Sequence, residues 1–137
     1  MGSGVNSVVK TAFLFPGQGS QTAGMGKEFY EMSSEAREMF KQAGDVLGLD
    51  IADLCFNGPD DKLTLTENAQ PALLIHSIIA LNMLRGNGIN AVLAAGHSLG
   101  EYSANVAAGS IQFLDAVRLV QLRGRYMQEA VPVGVGG

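Results

Sequence analysis

The fold of this chain is decided by residues 91–100, AVLAAGHSLG, which join an apolar strand to a helix through a serine. Within them, GHSLG has the G-x-S-x-G pattern of a nucleophile elbow, a sharp strand-to-helix turn that exposes a serine hydroxyl. A helix-like run, Glu101 to Ala108, follows it, and the flanking glycines leave room for close backbone packing. The stretch predicts acyl chemistry at Ser98. The alternative is a serine that only caps the following helix.

Composition indicates one globular domain and excludes several classes of function. The 137 residues are 47% hydrophobic and 16% charged, enough to bury a core. A net charge of −4 gives no electrostatic footprint for nucleic acid or an anionic membrane. The longest apolar stretch, Pro71 to Leu84, is too short to span a bilayer. The single cysteine, Cys55, excludes an internal disulfide, fits a reducing cytosol and is expected in the core rather than as a reactive thiol.

The order of apolar patterns predicts an α/β fold with a parallel sheet. Strands are expected at Val8–Phe15 and Ala91–Ala95, whereas Ile51–Phe56 is ambiguous. A polar connection is expected at Asp60–Asn68, with Thr64 or Thr66 as a cap, before a long helix that has Pro71 in its first turn. The predicted helices are Lys27–Gly44, the long helix to about Leu84, Glu101–Ala108 and Asp115–Ala130.

A glycine-rich loop, PGQGS at residues 16–20, follows the first predicted strand. Open α/β sheets bind their ligands at this edge. The backbone N–H of Leu99, at the start of the helix after Ser98, can stabilise a developing oxyanion, and the loop could provide a second donor. Taken alone, the loop is better interpreted as a plain strand-to-helix connection.

A serine nucleophile needs a base, and the sequence offers two histidines, His76 and His97. His97 adjoins Ser98, but neighbouring side chains diverge at a tight turn. It is therefore expected to shape the mouth of the site rather than to deprotonate the serine. His76 lies in an apolar helix and is expected to be a satisfied core or interface histidine.

Four segments carry a family resemblance: FPGQGSQ (15–21), AQPAL (69–73), GHSLGEY (96–102) and QLRGRYMQ (121–128). Together they resemble the malonyl-CoA:acyl-carrier-protein transacylases of fatty acid synthesis and the related acyltransferase domains of polyketide synthases. The resemblance implies a parallel-sheet α/β-hydrolase-like core that is incomplete here, without the family's ferredoxin-like small subdomain. Residues 1–7 are then expected to be a tag and leader, and residues 8–137 the N-terminal part of the large subdomain.

The resemblance assigns roles to individual residues. It implies Ser98 as the acylated nucleophile, the backbone amides of Gln18 and Leu99 as the oxyanion hole, and Arg123 as the group that grips the free carboxylate of the substrate. A guanidinium can hold a carboxylate through two parallel hydrogen bonds. His97 is expected to contact substrate at the mouth of the site. No metal and no resident cofactor is expected.

The implied activity is ping-pong transfer of malonyl from malonyl-CoA to the phosphopantetheine thiol of acyl carrier protein, in the cytoplasm, with no nucleic-acid or membrane partner. The catalytic histidine of the family comes from a later segment than any in this chain. This chain alone is therefore expected to be inactive unless a second polypeptide completes it. Two alternatives stay open: a serine esterase or thioesterase, which needs no carboxylate clamp, and a non-catalytic fragment that only folds, binds or assembles.

Overall fold

The structure, a computed structural model, describes residues 9–135, so the tag and leader expected at residues 1–7 lie outside the described residues. Two strands, Ala12–Phe15 (β1) and Leu93–Gly96 (β2), form a parallel sheet in which Ala12 pairs with Leu93 and Phe15 with Gly96. Parallel strands need a long crossover, and here the chain makes it through helices. The α/β class with a parallel sheet is confirmed.

Helices form most of the rest of the described chain. The longest, α5, is the buried helix that the apolar stretch before Leu84 predicted, and it packs against α2, α4, α6 and α7. No helix within residues 9–135 is long and apolar enough to cross a membrane. The helices are α1 (Lys27–Met32), α2 (Ser34–Leu47), α3 (Ile51–Asn57), α4 (Asp60–Thr64), α5 (Thr66–Gly86), α6 (Leu99–Ala107) and α7 (Phe113–Ala130).

The hydrophobic core surrounds α5 and one face of the sheet. Phe13 and Phe15 of β1 are buried in it, whereas Leu14, which points the other way, is 77% exposed. Cys55 is buried in the same core, and desolvation raises the pKa of its thiol to about 12. The prediction of a core cysteine rather than a reactive one is confirmed, because the thiolate is the reactive form.

The single helix predicted over Lys27–Gly44 is wrong. Two helices, α1 and α2, meet at Ser33, whose backbone is extended and whose Oγ accepts a hydrogen bond from the N–H of Ala36 at 3.2 Å. An N-cap residue has non-helical backbone angles, so the serine that starts α2 also ends α1. The apolar spacing continues across the break, and for that reason periodicity alone did not reveal it.

The polar connection predicted over Asp60–Asn68 is also wrong, because α4 and the start of α5 occupy it. Neither Thr64 nor Thr66 caps a helix: Leu65 precedes α5, without a side-chain cap. The N–H of Thr66 instead donates to Oε1 of Gln128 on α7, at 3.1 Å. A tertiary contact thus replaces the local cap, and Pro71 lies inside α5 rather than in its first turn.

Strand and helix bounds differ by a few residues from those predicted. Strand β1 starts at Ala12, and residues 9–11 lie before it, because its ladder extends only as far as β2 runs beside it. Val8, where the strand is predicted to begin, lies outside the described residues. Strand β2 ends at Gly96, one residue beyond the predicted Ala95, and α6 begins at Leu99, directly after Ser98. Fewer residues therefore separate the strand and the helix of the elbow than predicted. The ambiguous segment Ile51–Phe56 is helical and lies within α3.

Helices α5 and α7 cross at Gly124, where the backbones leave no room for a side chain. A Cβ at Gly124 would lie 2.7 Å from the Cα of Glu67 and 2.7 Å from the carbonyl oxygen of Thr66. The close crossing brings the preceding residue, Arg123, within hydrogen-bonding distance of Gln70 on α5.

Gly124→Ala is expected to lower the free energy of unfolding by about 1–3 kcal/mol, because the methyl group must push two helix backbones apart. Gly86→Ala is the matched control, since a Cβ at this helical glycine meets nothing within 4 Å. Alanine is the better helix former, so the control is expected to be neutral or stabilising. Urea denaturation of the complete gene product measures both, and equal stability of the two variants would contradict the close crossing.

Candidate active site

The backbone at Ser98 is strained in the way a nucleophile elbow requires. Ser98 has φ 52° and ψ −107° and is the one non-glycine residue with positive φ in residues 9–135. Such a conformation costs about 1–3 kcal/mol and persists only where the surroundings fix it. Two hydrogen bonds do so: the N–H of His97 donates to the carbonyl of Phe15 at 3.2 Å, and that of Gly100 to the carbonyl of His97 at 2.9 Å.

The two flanking glycines are required by space. A Cβ at Gly96 would overlap the carbonyl group of Gly100, and a Cβ at Gly100 would overlap the carbonyl oxygen of Phe15. Strand β2, the turn and helix α6 therefore fold back on one another closely. The side chain of Ser98 makes no capping hydrogen bond to α6, so the structure does not support the helix-cap alternative.

Ser98 and Arg123, 25 residues apart in sequence, are in direct contact. Nη2 of Arg123 donates to Oγ of Ser98 at 2.9 Å, and Nη1 donates to Oε1 of Gln70 at 2.8 Å. The hydrogen bond from Arg123 uses a lone pair of Oγ and leaves the hydroxyl proton of the serine free to be donated. The predicted nucleophile and the predicted carboxylate clamp thus lie together.

Arg123 has a positive charge that no carboxylate balances within residues 9–135. The neighbouring Arg125 differs in this respect, because its Nε pairs with Oε2 of Glu67 at 3.1 Å. Arg123 is instead partly buried, with its guanidinium carbon 5.6 Å from the centre of the Tyr102 ring. Guanidinium groups stack favourably on aromatic faces. Arg123 is therefore held by neutral partners, which leaves its charge available to an anion.

The two predicted oxyanion donors come from two segments that meet at the elbow. Leu99 is the first residue of α6, and the glycine-rich loop contacts the elbow from β1: a Cβ at Gly17 would lie 2.8 Å from both the carbonyl oxygen and Nδ1 of His97. Nε2 of Gln18 donates to Oγ1 of Thr66 at 3.3 Å and so ties this loop to α5. Within the described part of the chain, the backbone N–H groups of Gln18 and Leu99 donate to no other group. The oxyanion hole remains a prediction.

Neither histidine is a partner of the serine hydroxyl in the described residues. His97 is exposed and lies against the glycine-rich loop, a position compatible with the predicted mouth of the site. His76 lies on α5, with its ring 5.1 Å from that of Phe29. Its Nδ1 is buried without a hydrogen-bond partner in residues 9–135, so these residues do not satisfy the ring, and the expectation of a satisfied core or interface histidine stays a prediction. Desolvation lowers the pKa of His76, which favours the neutral ring.

Sequence reasoning did not identify Gln70 and Tyr102 as neighbours of Arg123. Both lie inside segments that carry the family resemblance, AQPAL and GHSLGEY, and that was the available signal. Gln70 is fully buried, which is unusual for a glutamine and marks it as a residue with satisfied polar contacts. The pairing of Gln70 with Arg123 depends on how α5 and α7 pack.

The elbow, the arginine beside its serine and the parallel sheet are the features that the sequence predicts for an acyltransferase domain. The chain belongs to the acyl transferase domain family, whose sequence pattern matches residues 12–136. Among curated relatives, it is 54% identical over 127 residues to the malonyl CoA-acyl carrier protein transacylase of Bacillus subtilis, covering 93% of this chain and 40% of that protein. It is 49% identical over 126 residues to the enzyme of the same name from Escherichia coli K12, covering 91% of this chain and 41% of that protein.

Solved structures lead to the same family. A malonyl CoA-acyl carrier protein transacylase from Clostridium perfringens superposes with a TM-score of 0.86 at 46% identity, covering 92% of this chain and 40% of that one. A malonyl-transacylase in complex with its type II polyketide synthase acyl carrier protein also has a TM-score of 0.86 at 46% identity, over 90% of this chain and 40% of that one. This chain thus spans about 40% of the length of the relatives it matches.

Proposed function

We propose that this chain carries the nucleophile and the carboxylate clamp of a malonyl-CoA:acyl-carrier-protein transacylase of fatty acid synthesis. The observation that carries the proposal is the position of Arg123, whose Nη2 lies 2.9 Å from Oγ of Ser98 and whose charge has no carboxylate partner in residues 9–135. A malonyl group on Ser98 has a free carboxylate one methylene beyond the ester carbonyl. A guanidinium that touches the serine is within reach of that carboxylate.

The first half-reaction forms the acyl-enzyme. Oγ of Ser98 attacks the thioester carbonyl carbon, and the carbonyl oxygen becomes an oxyanion that the N–H groups of Leu99 and Gln18 stabilise. The hydroxyl proton passes to a general base. The C–S bond then breaks, and coenzyme A leaves as a thiol after accepting a proton.

The second half-reaction reverses the first with a different thiol. The phosphopantetheine thiol of the carrier protein loses its proton to the base and attacks the Ser98 ester, and the serine leaves with a proton restored to Oγ. The relative solved with its acyl carrier protein supports this partner. The transfer needs no metal and no resident cofactor, and a cytoplasmic location fits the single buried cysteine.

Residues 9–135 place no general base beside the hydroxyl of Ser98. His76 and His97 make no contact with its Oγ, and removing the base from a nucleophile–base pair removes most of the rate. We therefore expect this 137-residue chain to turn over very poorly by itself. A second polypeptide or a longer chain that supplies a histidine would restore the rate.

Labelling with malonyl-CoA tests the proposal. The complete gene product is incubated with malonyl-CoA, and digestion followed by mass spectrometry is expected to locate one malonyl group on Ser98. Ser110→Ala, at an exposed serine that follows α6, is the control and should leave the labelling unchanged. Labelling elsewhere, or none under conditions in which a carrier protein becomes malonylated, would overturn the proposal.

A further inference from the structure

We propose that Gln70 is a positioning residue that orients Arg123 and thereby sets the preference for acyl groups with a free carboxylate. The inference rests on the proposed function and extends it to a residue that has no contact with Ser98 among the described hydrogen bonds. Gln70 acts through the guanidinium group. It is not a catalytic residue.

Burial and hydrogen bonding fix the orientation of the Gln70 amide. Gln70 is 0% exposed, so each polar atom of its side chain needs a partner inside the protein. A guanidinium group has donors only, and the atom that faces it must therefore be the carbonyl oxygen. Oε1 accepts from Nη1 of Arg123 at 2.8 Å, while Nε2 turns to Sδ of Met127 at 3.2 Å. Both ends of the amide are satisfied in one orientation only.

The Gln70 contact restrains a side chain that otherwise has many conformations. Arginine loses up to about 2 kcal/mol of rotamer freedom when it is immobilised, a cost that weakens binding if it falls on the binding step. Here Gln70 and the Tyr102 ring restrain the guanidinium before any ligand arrives. Two of its five N–H groups are used, by Gln70 and Ser98, and the others remain for a carboxylate.

Gln70 is placed by the close crossing of α5 and α7. Gly124, the residue after Arg123, lies against the first residues of α5. Met127, one helical turn beyond Arg123 on α7, provides the sulfur that accepts from Gln70. One glutamine on α5 thus bridges two residues on the facing side of α7. A neutral amide is suited to this position, because a carboxylate there would compete with the substrate for Arg123.

Kinetics on the complete gene product separate positioning from packing. Gln70→Met has similar length but replaces the strong carbonyl acceptor of Arg123 with a weakly accepting sulfur. We expect the KM for malonyl-CoA to rise about 10-fold, the effect of losing one hydrogen bond to a charged group, with kcat within about twofold. With acetyl-CoA, which has no free carboxylate, kcat/KM should change by less than about twofold. Equal losses for both acyl groups would assign Gln70 to packing and overturn the inference.

A double-mutant cycle provides a second test. If Gln70 acts through Arg123, Gln70→Met should have no further effect on the malonyl-to-acetyl ratio in an Arg123→Ala background. Additive effects would contradict the inference. Should Gln70→Met fail to fold, Met127→Leu removes only the sulfur that orients the amide, and we expect a two- to threefold fall in the same ratio. An unchanged ratio in that soluble variant would overturn the inference.

The two proposals fail in different ways. A wild-type protein that does not take malonyl onto Ser98 refutes the proposed function. A wild-type protein that does so, with a Gln70→Met variant of unchanged malonyl-to-acetyl ratio, refutes only the role of Gln70.

Discussion

Ser98→Ala is expected to lower kcat/KM for malonyl transfer in the complete gene product by about 10⁴-fold or more, because no acyl-enzyme can form without the hydroxyl. Binding of malonyl-CoA should survive, since Arg123 keeps its contact with Gln70 and loses only a neutral acceptor at Oγ. The loss should therefore appear in kcat. Transfer assays with acyl carrier protein, together with equilibrium binding of malonyl-CoA, measure the two quantities separately.

A buried serine on α6, the helix that follows Ser98, gives a matched control for Ser98→Ala. Ser103 on α6 is fully buried, and its Oγ has no hydrogen-bond partner in residues 9–135. Ser103→Ala removes an unsatisfied polar group and should leave both stability and transfer rate near those of the wild type. A similar loss of rate in both variants would mean that Ser98→Ala acts through the fold. If Ser98→Ala kept more than about one-tenth of the wild-type transfer rate, the assignment of Ser98 as the nucleophile would be refuted.

The elbow could be predicted from sequence because its determinants are local. An apolar run, two glycines and a serine lie within ten residues, and each glycine is explained by an overlap with a carbonyl group a few residues away or on β1. The resemblance to known acyltransferases rests on equally short segments. Short-range patterns of this kind are present in the sequence whether or not the chain is folded.

The errors in the predicted helices also have local physical causes. At Ser33 the amphipathic spacing continues through a residue whose side chain caps α2, so the apolar period could not reveal the break. At Thr66 the expected cap is replaced by Gln128, 62 residues away. Periodicity reports which face is buried. Tertiary packing decides whether the first N–H groups of a helix are bonded by a neighbouring side chain or by a distant one.

The surroundings of Arg123 were the least predictable part of the site. Neither Gln70 nor Tyr102 is near it in sequence. The contact with Gln70 depends on the α5–α7 crossing that Gly124 permits, and the contact with Tyr102 depends on the packing of α6 against α7. The resemblance placed Arg123 at the substrate carboxylate. Only the structure showed that its charge is held by neutral partners while the neighbouring Arg125 is paired with Glu67.

Arg123→Ala is expected to lower kcat/KM for malonyl-CoA by about 10²- to 10³-fold, since losing one partner of a partly buried charge pair costs about 2–5 kcal/mol. With acetyl-CoA the same variant should lose little, because no carboxylate is left unpaired. Arg123→Lys keeps the positive charge but loses the planar guanidinium that can form two parallel hydrogen bonds. Its kcat/KM for malonyl-CoA should therefore lie between those of the wild type and Arg123→Ala. Steady-state kinetics with both acyl-CoAs measure the ratio directly.

Arg118→Ala is the matched control, because Arg118 is an exposed arginine on the same helix. It should leave the malonyl-to-acetyl ratio unchanged. The ratio also separates the proposed transacylase from the esterase alternative. An esterase that uses the same elbow has no need of a carboxylate clamp, so its Arg123→Ala variant would keep its acyl preference. A preference that disappears with Arg123 and survives the loss of Arg118 would instead tie selectivity to the guanidinium that touches Ser98.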